Sequence, residues 1–185
     1  MPTHAYEVML AARSRGALVR CALRAVVVLA TLTALAGCGT KASVGTQQGD
    51  VAPDFSLPTL DGGATSLRDY RGRVVLLNFW LTWCGPCRAE MPDMQVVYEE
   101  LRDRGFVVVG VNGGESRDKV EGFAQEFGLT FPILVDEERG VTSRYGVRGY
   151  PTTFIIDGDG VIQQVIVGGP LSRKLVHELV KEFLP

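Results

Sequence analysis

Residues 74–90 read VVLLNFWLTWCGPCRAE, and two kinds of local structure meet inside them. Val74 to Trp80 is a continuous run of aliphatic, β-branched and aromatic residues interrupted only by Asn78. Such a run suits a strand buried on both faces. Cys84-Gly85-Pro86-Cys87 follows almost at once. Gly85 and Pro86 shape the turn, and Pro86 fits an early helical position, where no N–H is needed. Beyond it Met94, Val97, Tyr98 and Leu101 recur at helical spacing.

Outward from this centre the pattern repeats. Phe106 to Val111 (FVVVGV) is a second buried strand, entered through Gly105. Val120, Phe123, Ala124 and Phe127 mark an amphipathic helix that Gly128 stops. Ile133 to Val135 is a short strand. Thr152–Ile156 and Val161–Val167 are strands around Asp157-Gly158-Asp159-Gly160, a hairpin signal. Leu171, Leu175, Leu179 and Phe183 describe a last helix. Strand–helix–strand–helix followed by a hairpin and a helix implies an α/β fold, a mixed central sheet flanked by helices.

The two-residue spacing of Cys84 and Cys87 puts both sulfurs in the first helical turn, close enough for a disulfide. Free N–H groups and the helix dipole at that end stabilise negative charge. They lower a thiol pKa from its free value of about 8.5. Cys84 is therefore the attacking thiol, and Cys87, deeper in the helix, the resolving one. A structural disulfide would more naturally join distant segments, because so small a loop removes little unfolded-state entropy. Zinc would need four ligands, and beyond residue 37 the chain has one histidine, His177, with no Cys or His near it in sequence. No metal site is expected. Trp80 reads as core and Trp83, beside Cys84, as part of a docking surface.

With 185 residues, 46% hydrophobic and 22% charged, the chain is long and apolar enough for one ordinary domain. Its net charge of −2 leaves no cationic surplus for nucleic acid. The N-terminal part reads as an address. Arg13, Arg15, Arg20 and Arg24 precede Ala25–Ala36, an uncharged apolar run of 12 with two threonines. This is short of the roughly 20 residues that cross a bilayer and has the proportions of a signal-peptide core. It ends in Leu35-Ala36-Gly37-Cys38, which resembles a bacterial lipobox, so that residues 1–37 would be removed with Cys21 and Cys38 would carry the lipid. What remains has 15 Lys+Arg against 20 Asp+Glu. Residues 38–50 are small and polar and read as a flexible tether with a reach of about 20 Å. Residues 51–185 form the domain.

FWLTWCGPC, with Pro92 after it and Tyr150-Pro151-Thr152-Thr153-Phe154 much later, resembles the thioredoxin superfamily. Ala52-Pro53-Asp54-Phe55, with Leu57 and Leu67, and Asn78-Phe79-Trp80 narrow the resemblance to the ResA/TlpA-like membrane-tethered thiol–disulfide oxidoreductases. The similarity spans about residues 49–184 and implies a thioredoxin-like fold with an N-terminal extension. It also implies a cis bond at Tyr150–Pro151, facing the cysteines. A proline there has no N–H, which leaves neighbouring backbone free to pair with an extended substrate. Where cytoplasmic thioredoxins have a buried Asp, this chain has Asn78, which cannot exchange a proton. Glu90 matches a glutamate that the ResA-like family uses near its active site, and i, i+3 geometry sets it on the side of Cys87. A solvated surface carboxylate is the alternative reading of Glu90.

The resemblance implies an extracytoplasmic, lipid-anchored reductant of protein disulfides that needs no cofactor beyond a redox-active Cys84–Cys87 disulfide. Its partners would be protein dithiols and disulfides, apocytochrome c among them, with a membrane thiol carrier as electron donor. Two other classes share features. Peroxiredoxins share the Ala52–Phe55 opening, but their usual Thr and Pro ahead of the reactive cysteine are Leu81 and Leu77 here. Copper metallochaperones space their cysteines by three residues and use a loop histidine, which is missing between Cys87 and the last helix.

Overall fold

The computed structural model describes residues 43–185. A five-stranded sheet carries the molecule. Its strands are β3 (Val74–Trp80), β4 (Phe106–Gly113), β5 (Ile133–Asp136), β6 (Thr152–Ile156) and β7 (Ile162–Val167), in spatial order β5-β4-β3-β6-β7. β3, β4 and β5 run parallel; β6 runs antiparallel to β3, and β7 antiparallel to β6. A small hairpin of β1 (Ser56–Pro58) and β2 (Ala64–Ser66) precedes the sheet. The helices are α1 (Gly85–Leu101), α2 (Arg117–Phe127), α3 (Gly140–Arg144) and α4 (Arg173–Val180).

β3 is buried along its whole length because it lies in the middle of the sheet with both faces covered. Its side chains alternate between two apolar layers. Val74, Leu76 and Trp80 enter one with Cys87, Met91, Met94 and Val176, and Val75, Leu77 and Phe79 enter the other with Phe55, Tyr145 and Phe154. The same period of two puts Asn78 into the layer under α1. Directly across the antiparallel ladder from it stands Thr153 of β6. Two polar side chains therefore meet in an otherwise hydrocarbon layer.

α1 begins at Cys84, whose backbone is extended while Gly85 and Pro86 start the helix. Cys87, Glu90, Met91, Met94, Val97 and Leu101 belong to its buried stripe. α2 ends at Gly128, whose φ of +62° closes the helix in the left-handed conformation. Among the described residues no helix is long and apolar enough to cross a membrane.

Three expectations change. The tether over 38–50 is folded from Ser43 onward: Val51 N–H bonds to Ser43 O, Gly49 N–H to Ile162 O, and Ile162 N–H to Asp50 O. These residues satisfy backbone groups at the start of β7 that would otherwise stand open, and Asp50 accepts from the Ser43 hydroxyl at 2.7 Å. Residues 1–42, with Cys38 and the apolar run, lie outside the described residues. The second strand runs on to Gly113, because β5 continues to pair with it as far as Asp136. In the last helix Leu175 is 42% exposed, and the buried positions are Val176 and Val180. Leu171 precedes the Ser172 cap, so it does not share a helical phase with Leu175.

Candidate active site

The Cys84–Cys87 disulfide sits at the N-terminus of α1, with a Cα–Cα separation of 5.2 Å. Cys84 is the helix cap, and its Sγ accepts the Cys87 N–H at 3.2 Å. This N–H, the positive end of the helix dipole and the lack of an acidic residue in the first turn all favour negative charge at the Cys84 sulfur. Cys84 keeps 6% exposure and Cys87 none. Trp83 next to them is 73% exposed, whereas Trp80 is buried with its indole against Phe123, centroids 4.6 Å apart.

Glu90 is fully buried. One oxygen accepts from the Asn78 amide at 2.8 Å and the other from the Leu171 N–H at 3.0 Å. The Asn78 amide also donates to Thr153 Oγ1 at 2.9 Å, and its own oxygen has no partner. Burial pushes the Glu90 carboxyl up from 4.5 to about 7, against the pull of the Leu171 N–H and the Asn78 amide. The solvated-carboxylate reading fails, because Glu90 belongs to the packed face of α1. The buried titratable group on the helix stripe that holds Cys87 is thus carried by the helix, and Asn78 on the strand binds it.

Across the site the Tyr150–Pro151 bond is cis. Thr152 Oγ1 donates to Gly149 O at 2.8 Å and pins this loop. Gly113 lies behind it: a Cβ there would stand 2.6 Å from Thr142 Oγ1 and 2.8 Å from the Tyr150 hydroxyl, so only glycine leaves Tyr150 in place.

The AhpC/TSA family profile matches residues 48–165. The thioredoxin-like protein YneN of Bacillus subtilis is 47% identical over 143 residues, 76% of this chain and 83% of that protein. The thiol–disulfide oxidoreductase ResA of Geobacillus thermodenitrificans is 44% identical over 165 residues, 86% of this chain and 94% of its own length. A crystal structure of a thioredoxin-family thiol:disulfide interchange protein from Chlorobium tepidum superposes with a TM-score of 0.67 at 32% identity, covering 77% of this chain and 99% of that one. The chain belongs to the AhpC/TSA family, among its ResA-like thiol–disulfide oxidoreductases. Its fold is thioredoxin-like, and it is a thiol–disulfide oxidoreductase.

In this ResA-like chain the sequence reading missed the groups that hold the loop before Cys84. Glu115 accepts from the Thr82 N–H and the Thr82 hydroxyl, both at 2.7 Å, and from the Asn112 amide at 2.8 Å. Burial works to raise its pKa, but these hydrogen bonds outweigh it and hold the carboxyl below its ordinary value. Arg88 donates to Thr82 O at 3.2 Å and lies over the rings of Phe123 and Phe127, 5.2 and 4.8 Å from their centroids. Thr82, two residues before Cys84, is thereby gripped on both backbone sides. The placement of Asn78 and Asn112 within apolar strands was the only sequence signal, since it marks polar groups that must find partners in a core. Among the described residues no three His, Cys, Asp or Glu side chains come together in a way that could hold a metal ion.

Proposed function

We propose that this thiol–disulfide oxidoreductase reduces disulfides in extracytoplasmic proteins, anchored to a bacterial membrane by a lipid on Cys38. A Cys84 thiolate attacks one sulfur of the substrate disulfide and the other leaves as a thiol after protonation. Cys87 then gives up its proton and attacks Cys84, which releases the second substrate thiol and closes the Cys84–Cys87 disulfide. Glu90 takes the Cys87 proton in the second step and returns it when the pair is reduced again. Trp83 and the Tyr150–Pro151 segment receive the substrate chain as an added strand. A membrane thiol carrier supplies the electrons, and apocytochrome c is one of the protein substrates. No prosthetic group is required.

The observation that carries this reading is Glu90. A carboxyl whose pKa lies near 7, buried on the helix face that bears Cys87, is matched to proton transfer at neutral pH. A purely structural disulfide has no use for it. A peroxidase would need a polar group where Leu81 stands, and Leu81 and Leu77 both pack into apolar layers. The disulfide's reduction potential tests the direction. A value near that of thioredoxin, about −270 mV, is expected, and one near about −120 mV would make the protein an oxidant.

A further inference from the structure

Beside the disulfide a groove of about 640 Å³ runs between four segments. They are Trp83–Pro86 at the start of α1, Gly113–Glu115 at the end of β4, Arg139 ahead of α3, and Arg148–Tyr150 ahead of the cis proline. Arg139 and Arg148 are exposed, and neither has a carboxylate within salt-bridge distance among the described residues. The acidic residue in the groove wall does not serve them. Glu115 is turned toward Thr82 and Asn112. Of the two acidic residues just before Arg139, Glu137 accepts from the Arg117 N–H at 2.9 Å, and Glu138 lines a different cavity. In a chain of net charge −2, the free charges at the edge of the reactive disulfide are therefore positive.

Arg139 is also held there. It is the one described non-glycine residue with a left-handed backbone, φ +58°. Such a conformation persists only where the surroundings over-determine it, and it clusters at functional sites. Its side-chain stem lies against Gly114: a Cβ on that glycine would stand 3.0 Å from Arg139 Cδ and 3.1 Å from Cγ. Gly114 has φ +102°. The bare glycine lets the stem lie flat on the groove wall. Arg148 lines the same groove, two residues before Tyr150.

We propose that Arg139 and Arg148 select protein substrates bearing an acidic side chain within a few residues of the sulfur that Cys84 attacks. This rests on the reading of the Cys84–Cys87 dithiol as a reductant. A substrate strand laid along Tyr150 and Pro151 advances about 3.3 Å per residue, so a carboxylate about three positions from the cystine comes within reach of a guanidinium. Arginine suits the role, since its planar fork binds a carboxylate through two parallel hydrogen bonds. Rim charges of this kind act mainly on the rate of productive encounter and on the choice of partner.

The test uses two disulfide peptides that differ only in having Asp or Lys at the third position to either side of one cysteine, with hydroxyethyl disulfide as a neutral probe. Each is mixed with reduced protein, and disulfide formation at Cys84–Cys87 is followed by stopped flow. The ratio of the two peptide rates on one protein cancels any change in the intrinsic reactivity of its cysteines. Wild type is expected to reduce the Asp peptide about tenfold faster at low ionic strength, with the ratio shrinking in about 0.5 M salt as the charges are screened. Arg139→Asn, which tolerates the left-handed backbone, combined with Arg148→Gln brings the ratio to near one. Arg148→Gln alone lowers it partway, which keeps the test decisive if the double variant is poorly folded. Equal rates on wild type, or a ratio unchanged in the Arg148→Gln variant, would overturn the proposal. Failure of wild-type dithiol to reduce any of the three probes would overturn the reductant reading itself, a result distinct from reduction without charge preference.

Discussion

Glu90→Gln replaces a buried carboxyl by a neutral side chain of the same shape. In the folded protein the Glu90 pKa is raised from 4.5 to about 7, so folding disfavours its ionised form. The contribution to stability is fully present below the unfolded pKa. It falls as pH rises from 4.5 to about 7, where the unfolded chain ionises and the folded one does not, and is flat above that. A shift of this size corresponds to roughly 3 kcal/mol at about 1.4 kcal/mol per unit, of which about 2 falls between about pH 5 and pH 8. That is a large part of the roughly 5–15 kcal/mol typical of a whole domain. The glutamine variant would have no such dependence. Its new amide can meet the Asn78 oxygen, which now has no partner, if the Asn78 side chain turns over, so the variant is expected to fold. The assay is urea unfolding of the oxidised protein at about pH 5 and pH 8, wild type against variant. Every other titrating group cancels in the comparison, and wild type should lose about 2 kcal/mol more than Glu90→Gln between the two values. Parallel pH dependences would refute a Glu90 pKa near 7 and with it the proton-transfer role.

In the same variant, reduction of a protein disulfide should slow by about 10²-fold or less and lose its inflection near about pH 7, since thiol exchange needs no base once thiolate exists; stopped-flow rates against pH check this. Gly113→Ala should push Tyr150 away from its place over β4 and cost about 1–3 kcal/mol through overpacking, read by thermal unfolding together with a slower exchange rate. Cys38→Ala should release the protein from membranes or leave it unprocessed, because stable attachment needs the acyl chains; intact-mass analysis of the membrane fraction reports either outcome.

The centre of the fold was legible because its signals are local. Val74–Trp80 is buried on both faces and reads as such, and CxxC marks the strand-to-helix junction by spacing alone. β1 and β2 are three residues each and mostly solvent-facing, so no periodicity develops in them. The folded segment 43–50 contains no apolar stripe, since backbone hydrogen bonds to β7 hold it. At the site, Glu90 could be set near Cys87 by helical geometry. Its burial depends on Thr153, 75 residues from Asn78, and on the Leu171 N–H, 81 residues from Glu90. No local pattern encodes such partners. Glu115 and the two free arginines were hidden for the same reason: each is an ordinary charged residue until the chain brings it to the groove. Leu175 was misplaced because a leucine every fourth residue imitates one helical face even where a cap at Ser172 shifts the phase.

Trapping of a mixed disulfide identifies which sulfur opens a substrate disulfide. Reduced Cys87→Ser protein, incubated with a protein that carries one accessible disulfide, should form a covalent adduct that mass mapping assigns to Cys84, and reduced Cys84→Ser protein should form none. An adduct through Cys87 alone, or equal trapping by both variants, would contradict the account of Cys84 as the nucleophile that opens a substrate disulfide.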